Sequence, residues 1–390
     1  MYSVLRNFTA WTNWLIVLAV GVLVTIGVTT IWAQSEDHGQ KQLLFALLSV
    51  GVLLLLQVVN YQSVGRVAWL LHILALMAVL YTLLPFVPQS GFGGVPIVNG
   101  ARNWIDFKIV RFQPTEMVKI TYVLTLAWYL RFRQSQRSYL GLVPPFVMTL
   151  VPMVMILKQP DLGTSLVFIP TLFVMLFAAG ARVSHLLTVA AAGLVCVPLV
   201  WLSGQKGTPV FEHLPSVVKE YQRQRVYAMF SNDPSTLQRA GFQQHNALIA
   251  FGSGGVSGKG WGTIEVGHRV PESHNDMIFA LVGEQGGYLA VLLVLAAYGL
   301  LFVAGIETAG STRDPFGQMV AIGLTAMLAA GAFLNIMVVL KLMPVTGVTL
   351  PFISYGGSSL LANFILVGLL MNIASRRPIV ISKSTFEADD

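Results

Sequence analysis

Residues 270–305, VPESHNDMIFALVGEQGGYLAVLLVLAAYGLLFVAG, open on charged and hydrogen-bonding side chains and end in a long apolar run. A helix needs about 20 apolar residues to cross the hydrocarbon of a bilayer, and 276–305 is long enough to do so. Asp276 therefore stands where water meets lipid. An ionisable group at that depth is expensive to keep and suggests function, although Ser273, Asn275 or Asp276 could simply cap the helix that follows.

Outward from this stretch, comparable apolar runs lie near 11–33, 41–59, 67–87, 114–130, 139–157, 163–180, 183–202, 316–340 and 357–375. With 55% hydrophobic and only 11% charged residues, the 390-residue chain reads as all-α. The expected architecture is a polytopic membrane bundle of about ten transmembrane helices, a single domain over 1–390. The net charge of +7 is dispersed over short loops, which points to a membrane surface or anionic lipid and away from nucleic acid. The single cysteine, Cys196, sits in an apolar run, so no intramolecular disulfide can form. The run at 11–33 is too long for a signal-peptide core and reads as a retained first span.

Lysine and arginine set the expected orientation. With both ends cytoplasmic, Arg6, Arg66, Arg131, Arg133, Arg137, Arg182, Arg313, Arg376, Arg377 and Lys383 fall inside. They outnumber Lys41, Arg102, Lys108, Arg111, Lys158 and Lys341 in the short outside segments. The large loop 203–275 and the shorter loop 88–113 then share the extracytoplasmic face, and 382–390 forms a polar cytoplasmic tail. Trp104 suits an interfacial anchor, and YQRQRVYAMF (221–230) suits an amphipathic helix on the lipid surface, with anchoring favoured over ligand contact.

Four stretches place polar residues at the outer ends of spans. In RNWIDFKIVRFQPTEMVKI (102–120), Pro114 fits a first helical turn and Glu116 favours the helix dipole. Lys119 lies roughly 7 Å into the span, where pairing with Glu116 would keep it charged. LKQPDLGTS (157–165) is a tight break whose Lys158 and Asp161 could form a surface pair or meet a sugar or diphosphate. GFQQHNALIAFGSGGVSGKGWG (241–262) defaults to a flexible loop; its N–H groups could instead form an anion nest beside Lys259. LMPVTGVTLPFISYGGSS (342–359) is too rich in proline and glycine for a regular helix, so it re-enters or lines a polar cavity. Asn335 is expected to bond another helix, and His72 to be a satisfied packing residue. No HExxH, Cys/His cluster or G-x-S-x-G elbow is present.

Together RFQPTE with Lys119, QPDLGTS, the 241–262 run, PESHNDMIFALVGEQGG and GVTLPFISYGGSS resemble the SEDS family (shape, elongation, division and sporulation), in family order. RFQPTE and QPDLGTS look more like its elongation member, RodA, than its division member, FtsW. The resemblance implies a ten-span peptidoglycan glycosyltransferase that polymerises lipid II outside the cytoplasmic membrane, beside a class B penicillin-binding protein that crosslinks the strands. It places the essential aspartate on Asp276, the intramembrane ion pair on Glu116 and Lys119, and the turn acid on Asp161. The chain departs from the commoner wording at Asn275, Met277 and GEQGG (283–287).

An α-linked donor giving a β-1,4 polymer calls for one inverting displacement, hence one general base. Asp276 would take the proton of the acceptor's 4-hydroxyl. Arg223, Arg225, Lys259 and Arg269 are candidates to meet the leaving diphosphate; the alternative is a divalent ion, Mg or Mn, bridging it to Asp276. Arg102, Lys158, Ser354 and Gly356 complete the expected substrate-binding set, and no organic cofactor is expected. Glu284, about 80° round the helix from Asp276, is expected to pack behind the site rather than join it. The rival readings are an FtsW-like division polymerase, a transporter that flips lipid II, and an inactive scaffold.

Overall fold

A computed structural model describes residues 11–376, apart from 99, 109, 205–217, 219 and 231–240. The expected tail at 382–390 and part of the large loop lie outside the described residues. The helices are α1 (Trp11–Gln34), α2 (Glu36–Val58), α3 (Tyr61–Arg66), α4 (Ala68–Leu83), α5 (Pro114–Leu130), α6 (Tyr139–Lys158) and α7 (Leu162–Ala178). They continue with α8 (Val183–Leu202), α9 (Glu220–Phe230), α10 (Phe242–Ser253), α11 (Ile278–Ser311), α12 (Pro315–Val339) and α13 (Gly357–Arg376). Every predicted span coincides with one of these. Among the described residues, seven helices are long and apolar enough to cross a membrane: α1, α2, α6, α8, α11, α12 and α13. The helices α4 and α7 are apolar but shorter, and α5 has 17 residues. The chain is a multi-pass membrane protein.

Helix ends follow local chemistry. Ser35, Asn60, Ser138, Asp161 and Asp314 each accept a backbone N–H as N-caps of α2, α3, α6, α7 and α12. Pro114 and Pro315 open α5 and α12, where a missing N–H costs nothing. The centre of the bundle is α13 against α2, with α11 on α1 and α12, and α12 on α5 and α7. Contact between α13 and its neighbours runs through small and polar residues: Asn372 Nδ2 donates to Leu56 O and Val59 O, and Gln57 Nε2 to Gly368 O. Between apolar helices in lipid, such close approach and hydrogen bonding replace the hydrophobic drive of water.

The loop after α4 is not a plain interfacial anchor. It folds into an antiparallel hairpin, β1 (Ile105–Asp106) with β2 (Arg111–Phe112), paired Ile105 to Phe112 and Asp106 to Arg111.

The glycine-rich run 254–262 is not a flexible loop either. Helix α11 is broken at Gly287 (φ 63°), and the run lies along the break. Tyr288 N and Leu289 N donate to Gly255 O and Val256 O; Lys259 N and Gly260 N donate back to Glu284 O and Gln285 O. Each side satisfies backbone groups the other leaves open, which apolar surroundings demand. A Cβ on Gly258 (φ +77°) would overlap the Gln285 carbonyl, so the close approach requires glycine there.

Candidate active site

Asp276 lies in the turn before α11, not in the helix, and it does not cap it: Met277 is the N-cap residue and makes no side-chain cap bond. The turn is held from four sides. Asn335 Nδ2, on α12, donates to Asp276 O at 2.7 Å and to Val348 O at 2.7 Å. Ser354 Oγ donates to Asn275 O, Tyr355 N donates to His274 O, and Gln34 Nε2 donates to Ser273 Oγ. Glu272 (φ 51°) and Phe352 (φ 68°) hold left-handed backbone on either side of these contacts, a conformation that persists only where the surroundings over-determine it.

The carboxylate itself is lightly bonded. Gln243 Nε2, from the start of α10, donates to Asp276 Oδ1 at 3.1 Å and to Pro271 O at 3.0 Å. Burial pushes the Asp276 carboxyl up to about 6, against the opposing pull of the Arg225 charge and the Gln243 bond. A carboxylate with that affinity for protons can take one near neutral pH.

Asp276 opens into a cavity of about 900 Å³ that also reaches Glu116, Lys119, Asp161, Arg225 and Gly356. Lys119 Nζ meets Glu116 Oε1 at 2.9 Å, both side chains well buried. The second carboxylate oxygen of Glu116 has no protein partner among the described residues. Asp161 faces Thr164, whose N–H and hydroxyl donate to its two oxygens at 2.9 and 2.8 Å, rather than Lys158. Burial raises its carboxyl, opposed by those bonds and by Lys119.

The broken segment 342–356 forms one wall through Thr346–Thr349, Pro351, Tyr355 and Gly356. Its backbone is satisfied by side chains from the surrounding helices. Gln244 Nε2 donates to Met343 O and ties it to Val338 O at the end of α12, Gln42 Nε2 donates to Ser354 O, and Arg225 Nη1 to Val345 O at 3.0 Å. Asn335 thus clamps the aspartate turn and this segment together, where the sequence suggests only a helix-to-helix bond. His72, by contrast, is the expected satisfied packing residue, 3.1 Å from Thr121 Oγ1.

Not every expected residue reaches the cavity. Arg102 donates to Val87 O, and Arg223, buried beneath α9, donates to Ser203 O. Lys158 is exposed, and Arg269 ends a short turn, Gly267–Arg269. Ser354 is buried behind the wall. Lys259 pairs with Glu265 at 2.7 Å and Glu284 at 3.2 Å. The anion nest fails as well: N–H groups 258 to 260 and 262 are already bonded to Gly254 O, Glu284 O, Gln285 O and Gln285 Oε1. Helix α9 does form, but its Arg225 lines the cavity instead of only anchoring the chain. In exchange, Lys41, Arg111, Asn103, Trp104, Gln243, His274 and Tyr355 line it. His274 stacks on His38 at 4.9 Å and lies 5.5 Å from Tyr355. The adjacent glutamines of GFQQHN, directly after a polar loop, were a readable signal; Lys41 and Tyr355 meet only through folding.

Comparison with known proteins agrees along nearly the whole chain. The family described as "Cell cycle protein", covering FtsW, RodA and SpoVE, matches residues 8–378. The chain is 34% identical over 370 residues to "Peptidoglycan glycosyltransferase MrdB" of Escherichia coli K12, covering 93% of each. It is 33% identical over 368 residues to "Stage V sporulation protein E" of Bacillus subtilis, covering 92% of this chain and 94% of that one. It is 32% identical over 367 residues to "Probable peptidoglycan glycosyltransferase FtsW" of Geobacter sulfurreducens, covering 91% of each. Among solved structures, a chain of a peptidoglycan synthase complex that coordinates polymerization and crosslinking superposes with a TM-score of 0.77 at 29% identity, covering 93% of this chain and 98% of that one. Thermus thermophilus RodA superposes with a TM-score of 0.66 at 26% identity, covering 95% and 99%. With the family match over residues 8–378, relatives 32 to 34% identical and a shared fold over more than nine-tenths of its length, this chain belongs to the SEDS family of FtsW, RodA and SpoVE.

Proposed function

We propose that the chain is a peptidoglycan glycosyltransferase that polymerises lipid II, with Asp276 as its general base. The observation that carries this is one lightly bonded carboxylate, pushed up to about 6, at a cavity that also presents Lys41, Arg111, Lys119 and Arg225. In the step, the acceptor 4-hydroxyl gives its proton to Asp276 while its oxygen bonds to the donor's anomeric carbon. The bond from that carbon to the diphosphate breaks on the opposite face, and the undecaprenyl diphosphate leaves with the electron pair. It needs no proton, only positive charge, which the four cations supply. Arg225 is favoured because its charge already acts on Asp276. The Glu116–Lys119 pair and Asp161 would orient the sugar and diphosphate.

A divalent ion fits this donor set only if it arrives with the diphosphate. Among the described residues no three His, Cys, Asp or Glu side chains are grouped to hold one, whereas Mg²⁺ commonly uses one or two carboxylates plus substrate phosphates. Asp276 would be that carboxylate.

The lysine and arginine distribution supports cytoplasmic termini and an extracytoplasmic cavity in the cytoplasmic membrane. The RFQPTE and QPDLGTS wording supports a role in elongation and cell shape, with a class B penicillin-binding protein as partner. Rounding of depleted cells would fit elongation; filamentation would instead assign division. The decisive experiment supplies purified full-length protein and its partner with lipid II in detergent and resolves the polymer on gels. Wild type should make glycan strands, and Asp276→Asn should make them at least about a hundredfold more slowly. Polymer from the variant at the wild-type rate would overturn the assignment, and because detergent abolishes compartments, flipping cannot produce polymer.

A further inference from the structure

At the end of the bundle away from Asp276, a second pocket of about 390 Å³ opens between α3, the end of α5 and the start of α12. Along α5 it lies about 18 Å from Glu116. Arg66 and Arg131 line it. Arg131 is stacked on Trp128, its guanidinium carbon 3.1 Å from the ring centroid, which fixes its plane and leaves its N–H edge for a ligand. Trp128 in turn packs edge-on against Phe316 at 5.3 Å, over Gly65, where any Cβ would run into both rings. The floor is therefore built by packing. Arg66 Nη2 donates to Ser63 Oγ at 2.8 Å.

Among the described residues neither guanidinium is ion-paired. The pocket's one carboxylate, Asp314, is turned to capping α12, accepting from Gly317 N at 3.1 Å. It also holds the Tyr61 hydroxyl, and the Asn60 oxygen accepts from Gln62 N. The Asn60 amide nitrogen and the Gln62 side chain are left to meet hydroxyl groups, while the two arginine forks suit a phosphate. Beside the pocket, Val67, Trp69 and Phe132 expose apolar side chains, so an amphiphile can seat its headgroup among the arginines and lay its chains on α4. We propose that this pocket binds the headgroup of an anionic glycerophospholipid, a phosphodiester that carries free hydroxyls. Basic pockets between membrane helices are suited to such headgroups.

The test uses full-length protein in nanodiscs of phosphatidylcholine with added phosphatidylglycerol, extracted into detergent and weighed intact by native mass spectrometry. Wild type should retain phosphatidylglycerol, and the double variant Arg66→Gln/Arg131→Gln should hold it on the order of tenfold more weakly for each fork lost. A charge-matched control outside the pocket, Arg133→Gln/Arg182→Gln, should behave as wild type. Equal loss in both double variants would reduce the effect to bulk surface attraction and overturn the proposal. So would a rise in Tm from soluble glycerol 3-phosphate as large as that from the lipid, which would make it a free-phosphate site. If the double variant does not fold, Arg66→Gln alone, an exposed residue whose side chain bonds only Ser63 among the described residues, carries the same comparison.

Discussion

Asp276 and Glu284 are acids eight residues apart around the start of α11, and their surroundings use them in opposite ways. Glu284 is fully buried and saturated. One of its oxygens accepts from Glu265 N and Val266 N at 2.9 and 2.7 Å and faces Lys259; the other accepts from Gly267 N at 2.8 Å. It fastens the 254–270 segment to α11, with no contact to the cavity. Asp276 has one side-chain donor, Gln243, and an open face on the cavity. A buried acid with both oxygens engaged by several donors holds structure; one left short of partners is free to exchange protons and meet a substrate.

The sharpest way to break this division of labour is to neutralise each acid. Asp276→Asn should lower the rate of glycan polymerisation by about 10²- to 10⁴-fold, the range of a general base, in an assay of lipid II consumption. Glu284→Ala should instead destabilise the fold by about 3 kcal/mol or more, seen as a lower Tm in detergent, because three backbone N–H groups and Lys259 lose a buried carboxylate. A Glu284→Ala protein that kept its Tm yet lost all activity would reverse the two roles.

The pH response separates them further. Because only the carboxylate form of Asp276 accepts a proton, kcat/KM should fall about tenfold per pH unit below about 6 and level off above it. Stability runs the other way. A carboxyl whose folded pKa is raised from 3.8 to about 6 favours folding of the protonated form, so the charged form weakens the fold as pH rises through that window. Asp276→Asn should therefore be more stable than wild type at pH 8 by about 1–3 kcal/mol, with the gain shrinking toward pH 4.

Smaller effects probe what holds Asp276. Asn335→Leu removes the clamp on Asp276 O and Val348 O; it should cost about 1–3 kcal/mol and lower kcat more than it raises KM. Leu194→Ala, on the exposed face of α8, should change stability by less than about 0.5 kcal/mol, leaving Tm nearly unmoved.

Much of this site was legible in the one-dimensional pattern, for identifiable reasons. Asp276, the Glu116–Lys119 pair and Asp161 were visible because charge inside or at the edge of an apolar run stands out whatever the fold. Thr346 to Gly356 was visible because proline and glycine cannot continue a helix. The cations were not legible: Arg102, Arg223, Lys259 and Arg269 lie in polar stretches of sequence, where nothing in the local pattern says whether a cation faces a substrate or a protein acceptor. Arg223 and Arg225 differ by two places, about 200° on a helix, and that rotation alone sends one under α9 and the other into the cavity. Helices α8 and α13 make the same point for the fold. Both are long and apolar, yet α8 is mostly exposed and α13 almost wholly buried.

By itself, the sequence determined the membrane-spanning segments, their ends, the position of the acids at those ends, and the family. These depend on composition and on spacing within a single element. Tertiary structure alone decided that Asp276 is left with one donor while Glu284 is saturated, that the glycine-rich run fills a break in α11, and that Gln42, Gln243 and Asn335 gather around the site from three different helices. The reason is that a buried polar atom's environment is set by which distant backbone groups come to within about 3 Å of it, and that distance does not exist until the helices have packed.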